Sequence, residues 1–423
     1  MPSPETRFAA SAAMTASPGW HLSRVVRPSR LNGANGLRTG ADGRIYVAQV
    51  AGSCVSAINP DTGDIEAFSA MGAGITAPDD LAFDEAGNLY CTEITENRIS
   101  VRRPDGRVEV LLGDVPVANP ITYHQGRLIA GECRVGARIL EVDRGGGAPR
   151  VILADVPMVN AFEVGPDGKL YFPVMGTNEI WRIGLDGGEA EVVAGDLGVP
   201  DSLKFDSQGR IVTTQVASGQ VLRIDPRTGA REVLADIGPG LDNVTFVGDR
   251  IFVSHITGSV HEILEPGKVR ALVDKGLQWP LGLALSADGA LYVADGGFSY
   301  VLFPDGRFEL LGMLFTPGTP GFTRGVAAGG PGEWTVTTAN GDVARWRPAE
   351  QAHDVLASGR DRLMGVCTSG AAGGFAEFGT GKLLAVEGGA VSELASGLDQ
   401  PMGVAAADGA VFVAEAGAGR VTK

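Results

Sequence analysis

Aromatic residues are scarce in this 423-residue chain, at 6% of the sequence, and only five histidines and four cysteines occur. Cys54, Cys91, Cys133 and Cys367 lie far apart with no CxxC pair, which excludes a disulfide framework and points to a reducing compartment. Positive charge is also in deficit, with 35 Lys and Arg against 50 Asp and Glu for a net charge of −15. No cluster of five basic residues breaks that field, so nucleic acid and anionic membranes are excluded as partners. No apolar run reaches the length of a membrane span. The start, MPSPETRFAASAAMTASPGW, lacks the basic-then-apolar order of a signal peptide, so a cytoplasmic location is expected. GxSxG, HExxH, P-loop and GxGxxG-in-βαβ patterns are missing, against serine hydrolases, zincins, NTPases and dinucleotide enzymes. Strict WD and kelch signatures are missing too.

What is plentiful is glycine, at 62 residues, within a chain that is 44% hydrophobic. Gly with 24 Pro suits many short strands joined by tight turns. One unit, NGLRTGADGRIYVAQVAGSCVSAINPDTGDIEAFSA from Asn35 to Ala70, parses as four strands with turns at Asp42-Gly43 and Pro60-Asp61-Thr62-Gly63. The grammar recurs in EAGNLY, GPDGKLY, DSQGRIV, SADGALY and AADGAVF. The residue opening each innermost strand falls at Asn35, Asp79, Asn119, Asn160, Asp201, Asp242, Leu281, Arg324, Met364 and Met402, at spacings of 38 to 44. That period is one four-stranded propeller blade.

The expected fold is therefore an all-β propeller of about ten four-stranded blades over residues 21–423, preceded by a flexible tail at 1–20. The last repeat stops at GRVTK before its outermost strand, and a spare strand-like segment, His21–Val26, precedes the first. Pairing these two would close one ring and remove its exposed edge. Two five-bladed rings are the alternative.

In a propeller the innermost strand starts and the second strand ends on one face of the central channel. The first six starting positions, Asn35, Asp79, Asn119, Asn160, Asp201 and Asp242, offer oxygen ligands; the last four offer apolar groups and Arg324. The second strands end at Gln49, Glu93, Glu132, Val174, Gln215, His255, Asp295, Thr338 and Glu415, with Glu377 aligned less clearly. Such carboxylates bind a hard cation or serve as general bases when burial raises their pKa. Equally, an acid there bonds neighbouring backbone N–H groups, and Asn and Asp favour strand starts as turn formers. Of the histidines only His255 reaches the channel face, where it is a candidate general base.

APDDLAFDEAGNLYCTE, VPDSLKFDSQGRIVTTQ and WPLGLALSADGALYVAD resemble the SMP-30/gluconolactonase/LRE superfamily and the related virginiamycin B lyase-like and NHL propellers, over nearly the whole chain after residue 30. The resemblance implies a divalent cation, calcium first and magnesium second, at the channel mouth. Asn160 in VNAFEV and Asp201 in VPDSLKF match the family's ligand positions, and Asn119 and Asp242 match less tightly. It implies a hydrolase of a small lactone or ester; by their positions at the channel face, Asn35, Asp79, Gln215 and Arg324 are expected to line the substrate pocket. Glu93, Glu132, Asp295, Glu415 and His255 are then the candidates for activating water. The chain departs from the family in having ten repeats where six is usual, and in carrying Asn35 where a Glu ligand stands. A lyase using His255 with Glu415 or Glu93 and magnesium is the second reading, and a non-catalytic binding or scaffolding propeller the third.

Overall fold

The computed structural model describes residues 16–313, 316–369 and 372–423, so the expected tail lies, up to residue 15, outside the described residues. Ten antiparallel sheets follow one another along the chain, nine of four strands and the last of three. In the first, Leu37–Thr39, Ile45–Gln49, Cys54–Ile58 and Ile65–Ser69 pair in chain order. Ile45 faces Ile58 and Val47 faces Leu37, so alternate residues line one face. The expected propeller blades and their number are present. Among the described residues no helix is long and apolar enough to cross a membrane.

The expected single ring is not. The chain divides into two compact units, one holding residues 27–276 and the other residues 277–423 together with Arg24–Val26. The first unit contains six blades, at residues 37–69, 78–112, 118–157, 163–194, 200–236 and 241–273, and it closes on itself. The sixth blade bonds the first directly. Ser254 Oγ donates to the Asn35 carbonyl at 2.6 Å, Thr39 Oγ1 donates to the Phe246 carbonyl at 2.6 Å, and Arg250 pairs with Asp61 at 2.6 Å. Beneath these bonds Leu31, Leu37, Val47 and Ile58 share a core with Phe252, Val260 and Val273. Full burial of each such side chain contributes about 1.5–3 kcal/mol to holding this seam closed. His21–Val26 forms no strand, and the closing role assigned to it falls to the sixth blade. The alternative of two five-bladed rings fails for the same reason, since the division comes one blade later than the midpoint.

The second unit holds the remaining blades, at residues 282–313, 323–357, 363–395 and 401–422. Its inner strands pack in chain order, Gly282–Leu285 on Thr323–Ala328, that strand on Leu363–Ser369, and that on Pro401–Ala407.

Candidate functional site

A β-bulge creates the site. In the second, fifth and sixth blades the inner strand slips register between Pro78 and Leu81, Pro200 and Leu203, and Leu241 and Val244. A bulge leaves residues without a ladder partner and re-aims their side chains. The freed N–H groups of Asp80, Ser202 and Asn243 are taken up by hydroxyls of the second strand, Thr92 at 2.9 Å, Thr214 at 3.2 Å and Ser254 at 2.8 Å. The Thr214 hydroxyl then donates to the carbonyl of Asp242 in the next blade, as Ser254 does to Asn35. The fifth and sixth blades thus each pin the opening residue of the next.

The six opening residues meet around one axis. Asn35 Nδ2 donates to Asp242 Oδ2 at 3.1 Å, Asn119 Nδ2 to Asn160 Oδ1 at 2.9 Å, and Asn160 Nδ2 to Asp201 Oδ2 at 3.0 Å. Asn119 Oδ1 is buried with no hydrogen-bond partner. Burial and mutual repulsion hold the carboxyls high. Asp79 is pushed up to about 7 by burial and by the charge of Asp80. Asp201 is raised well above the usual range by burial and by Asp242, Asp79 and Asp80. Asp242 is raised by burial and Asp79 against a smaller lowering from the Asn35 amide. The Cys133 thiol, pushed up by burial, also feels Asp79, Asp201 and Asp242, which places a sulfur beside the ring. A second sulfur, Met175 Sδ, lies 3.4 Å from Asn160 Nδ2.

Below this layer is another that sequence reasoning missed. Three residues after the opening position stand Arg38, Glu163 and Lys204, from the first, fourth and fifth blades. Lys204 Nζ lies 2.6 Å and Arg38 Nη1 3.2 Å from Glu163 Oε2. Arg38 also donates to the carbonyls of Leu81 at 2.9 Å and Ile121 at 3.2 Å. These contacts span five of the six blades and close the channel under the ring. Glu163 is held low by Lys204 and Arg38 despite the opposing effect of burial, and burial lowers Lys204. The signal was a charged residue, three times over, where the repeat elsewhere puts Ala82 or Thr122.

The second-strand ends do something else. Glu93 accepts from the Thr76 N–H at 2.9 Å and pairs with Arg98 at 2.6 Å. Gln215 accepts from the Gly198 N–H at 2.9 Å, Asp295 from that of Gln278 at 2.9 Å, Glu415 from that of Asp399 at 2.8 Å, and Glu377 from that of Asp361 at 3.1 Å. Glu132 is clasped by Arg134 at 2.8 Å and by Arg138. These side chains latch the loop leading into their own blade or pair with its third strand. Glu93, Glu132, Asp295 and Glu415, expected as catalytic groups, and Gln215, expected to bind substrate, are thus all engaged in structural bonds.

His255 is used up in the same way. Its Nε2 lies 2.8 Å from the Pro239 carbonyl and its Nδ1 2.8 Å from the Thr257 hydroxyl. Since a carbonyl only accepts, Nε2 carries the proton and Nδ1 accepts from Thr257. Burial, with the His261 and Lys275 charges, lowers its pKa to about 3. A neutral imidazole with both nitrogens engaged is no proton acceptor for a ligand. Arg324 belongs to the second unit, where its Nη1 donates to the Leu363 carbonyl at 3.4 Å. Asp295 and Glu415 belong there too.

The donor set of the ring, three carboxylates and three amides, is all oxygen on its accepting side and suits a hard cation. Among the described residues no three His, Cys, Asp or Glu side chains are already drawn together as a metal cluster. A separate groove of about 660 Å³ opens between the eighth and ninth blades, beside the Arg345–Glu333 pair at 3.3 Å.

Six blades closed around a channel with an acid–amide ring make the first unit a β-propeller. No family model matches the chain and no curated protein matches it. Among solved structures it is similar to a streptogramin B lyase, at 18% identity over 63% of this chain and 91% of the other, with a TM-score of 0.48. It is also similar to regucalcin, a calcium-binding protein from Agrobacterium tumefaciens, at 20% identity over 53% and 82%, with a TM-score of 0.43. A luciferin-regenerating enzyme follows at 12% identity over 54% and 85%, with a TM-score of 0.46. These likenesses add nothing beyond the propeller fold that the strand order already shows.

Proposed function

We propose that the first unit binds a divalent cation at its ring and hydrolyses a small lactone or ester there. The observation that carries this reading is the convergence of Asp79, Asp201 and Asp242 on one axis with carboxyl pKa values pushed upward. Like charges held together in a buried place are costly unless a cation neutralises them. Asp201, Asp242, Asn160 and Asn119 would hold that ion, the last through its unpartnered Oδ1. When bound, a hard cation supplies Lewis-acid polarisation of a carbonyl oxygen.

The chain's own residues supply the rest. The Asp79 carboxyl opens the second blade at the same ring and is the candidate general base. The Arg38–Glu163–Lys204 layer closes the channel below, so a ligand enters from one side and must be small enough to sit on the ring. The lyase reading loses its base, because His255 is buried, neutral and doubly hydrogen-bonded.

The test has two arms. Calorimetric titration with calcium, magnesium and manganese should show binding that Asp201→Asn and Asp242→Asn each weaken at least about tenfold, or about 1.4 kcal/mol. A pH-stat assay over γ- and δ-lactones and simple esters should show turnover that Asp79→Asn lowers in kcat. Absence of both cation binding and turnover in the unaltered protein would end this reading.

A further inference from the structure

The polar ring of the first unit lies under an apolar mouth. The residue after the second strand of each of its six blades is Val50, Ile94, Cys133, Met175, Val216 or Ile256, none carrying a charge or an amide. At the same place the blades of the second unit, which have no ring, carry Gly296, Ala339, Phe378 and Ala416. The collar sits at the ring itself. The Val50 N–H donates to Asn35 Oδ1 at 3.2 Å, and Met175 Sδ lies 3.4 Å from Asn160 Nδ2. The Cys133 thiol is close enough to feel Asp79, Asp201 and Asp242. Val216 is buried and the other five are half-buried. Yet the hydrophobic clusters that fill these six blades include none of the six, so core packing does not account for them.

The backbone at this mouth is strained in the same sense. Five collar N–H groups donate to the carbonyl two residues before the opening position: Ile94 to Ala77, Cys133 to Val117, Met175 to Met158, Val216 to Val199 and Ile256 to Gly240, at 2.9 to 3.2 Å. Ala77, Val117, Met158 and Val199 have φ of 44°, 53°, 67° and 61°, in the left-handed region, where Gly240 and its first-blade counterpart Gly33 also fall. That region suits glycine and, next, asparagine or aspartate; a β-branched valine there is an outlier. Among the described residues every other non-glycine residue with left-handed φ is polar. Apolar side chains are thus kept, against the backbone's preference, only beside the ring, and strain held in this way clusters at ligand sites.

We infer that the lactone or ester taken by the ring carries an alkyl chain, and that the collar of Val50, Ile94, Cys133, Met175, Val216 and Ile256 holds that chain. The carbonyl rests on the hydrolase reading above; the chain is read from the collar alone. Arg38, Glu163 and Lys204 close the channel below, so a substituent on the carbonyl compound has only the mouth to occupy. A polyhydroxylated substituent would give up its bonds to water for side chains that return none. An alkyl substituent gives up nothing, and each methylene that the collar buries strengthens binding about fourfold.

Two measurements on the full chain test this and keep it separate from the hydrolase reading. In a pH-stat, δ-decalactone should show kcat/KM at least about tenfold above that of δ-valerolactone, which lacks its pentyl chain, and above that of glucono-δ-lactone. Ile94→Asn and Val50→Asn should each shrink that ratio severalfold, through KM. Fluorescence titration with the neutral apolar dye N-phenyl-1-naphthylamine needs no turnover. It should show saturable binding that δ-decalactone displaces, glucono-δ-lactone does not, and both substitutions weaken. Ile94→Ala, which adds no polar group, replaces the asparagine variants if their melting curves show them unfolded. Equal kcat/KM for the three lactones, or a preference for glucono-δ-lactone, overturns the inference and leaves the hydrolase standing. If no lactone is turned over, dye binding that behaves as described upholds the apolar mouth without the hydrolase. Dye binding that is absent, or blind to the substitutions, then overturns the mouth as well.

Discussion

Replacing Asp79 with asparagine should stabilise the protein at neutral pH while impairing its proposed chemistry. The carboxyl titrates at about 7 in the folded protein against 3.8 when free. That raised value means the folded state resists ionisation. Below about pH 4 the group is neutral in both states and the substitution changes little. As pH rises from 4 to 7 the unfolded chain ionises while the folded one does not, so the unaltered protein progressively loses stability. Above 7 the loss levels off, at about 1.4 kcal/mol for each of roughly three pKa units, or about 4 kcal/mol. Asp79 is partly exposed, so channel water makes this an upper limit. For a unit of this size it corresponds to a gain of about 10 °C in Tm at most. Removing the charge also relieves Asp201 and Asp242, both of which feel it. Calorimetric melting of both forms at pH 5 and pH 8, in chelator, reads the difference directly. A gap that is equal at the two pH values, or a D79N variant that melts lower than the unaltered protein at pH 8, would refute the electrostatic account of the ring.

Other substitutions separate structure from chemistry. Lys204→Met leaves Glu163 with Arg38 alone under the ring and should cost about 3 kcal/mol in a urea unfolding midpoint; an unchanged midpoint would mean the floor is not held by charge. His255→Gln keeps a donor for the Pro239 carbonyl and should leave lactone turnover within a few-fold of normal, whereas complete loss of turnover would restore a proton-transfer role. Glu93→Ala strands the Thr76 N–H and Arg98 and should lower stability by about 2 kcal/mol with kcat unmoved; a fall in kcat without loss of stability would contradict the latch.

Blade identity was legible because turn residues and strand period are local. Closure was not, because it depends on how closely neighbouring inner strands pack. The change from Asp242 to Leu281 at the opening position marked the end of the ring, yet equal repeat spacing on either side masked the division at 276–277. The second-strand acids read two ways from sequence for a physical reason. A general base and a loop latch both call for a carboxylate at the buried end of a strand, and only the partner tells them apart: the Thr76 N–H for Glu93, the Asp399 N–H for Glu415. Arg38, Glu163 and Lys204 were visible as charges, but isolated charges in strands read as solvent-facing until three of them are found on one axis.

The size of the ring and the chemistry of its opening residues are one constraint. Asp79, Asp201 and Asp242 come from the second, fifth and sixth blades, and each of the last two feels the charge of Asp79. Asn35 in the first blade bonds Asp242 in the sixth, and Asn119 bonds Asn160 and through it Asp201. Amide-to-carboxylate bonds near 3 Å across such blades require a narrow channel. Ten blades would widen the channel and part these side chains, removing both the bonds and the repulsion that lifts the carboxyl pKa values. Six carbonyl-bearing side chains at six successive openings therefore belong with six blades. The four openings that lack them sit where no such ring has to be completed.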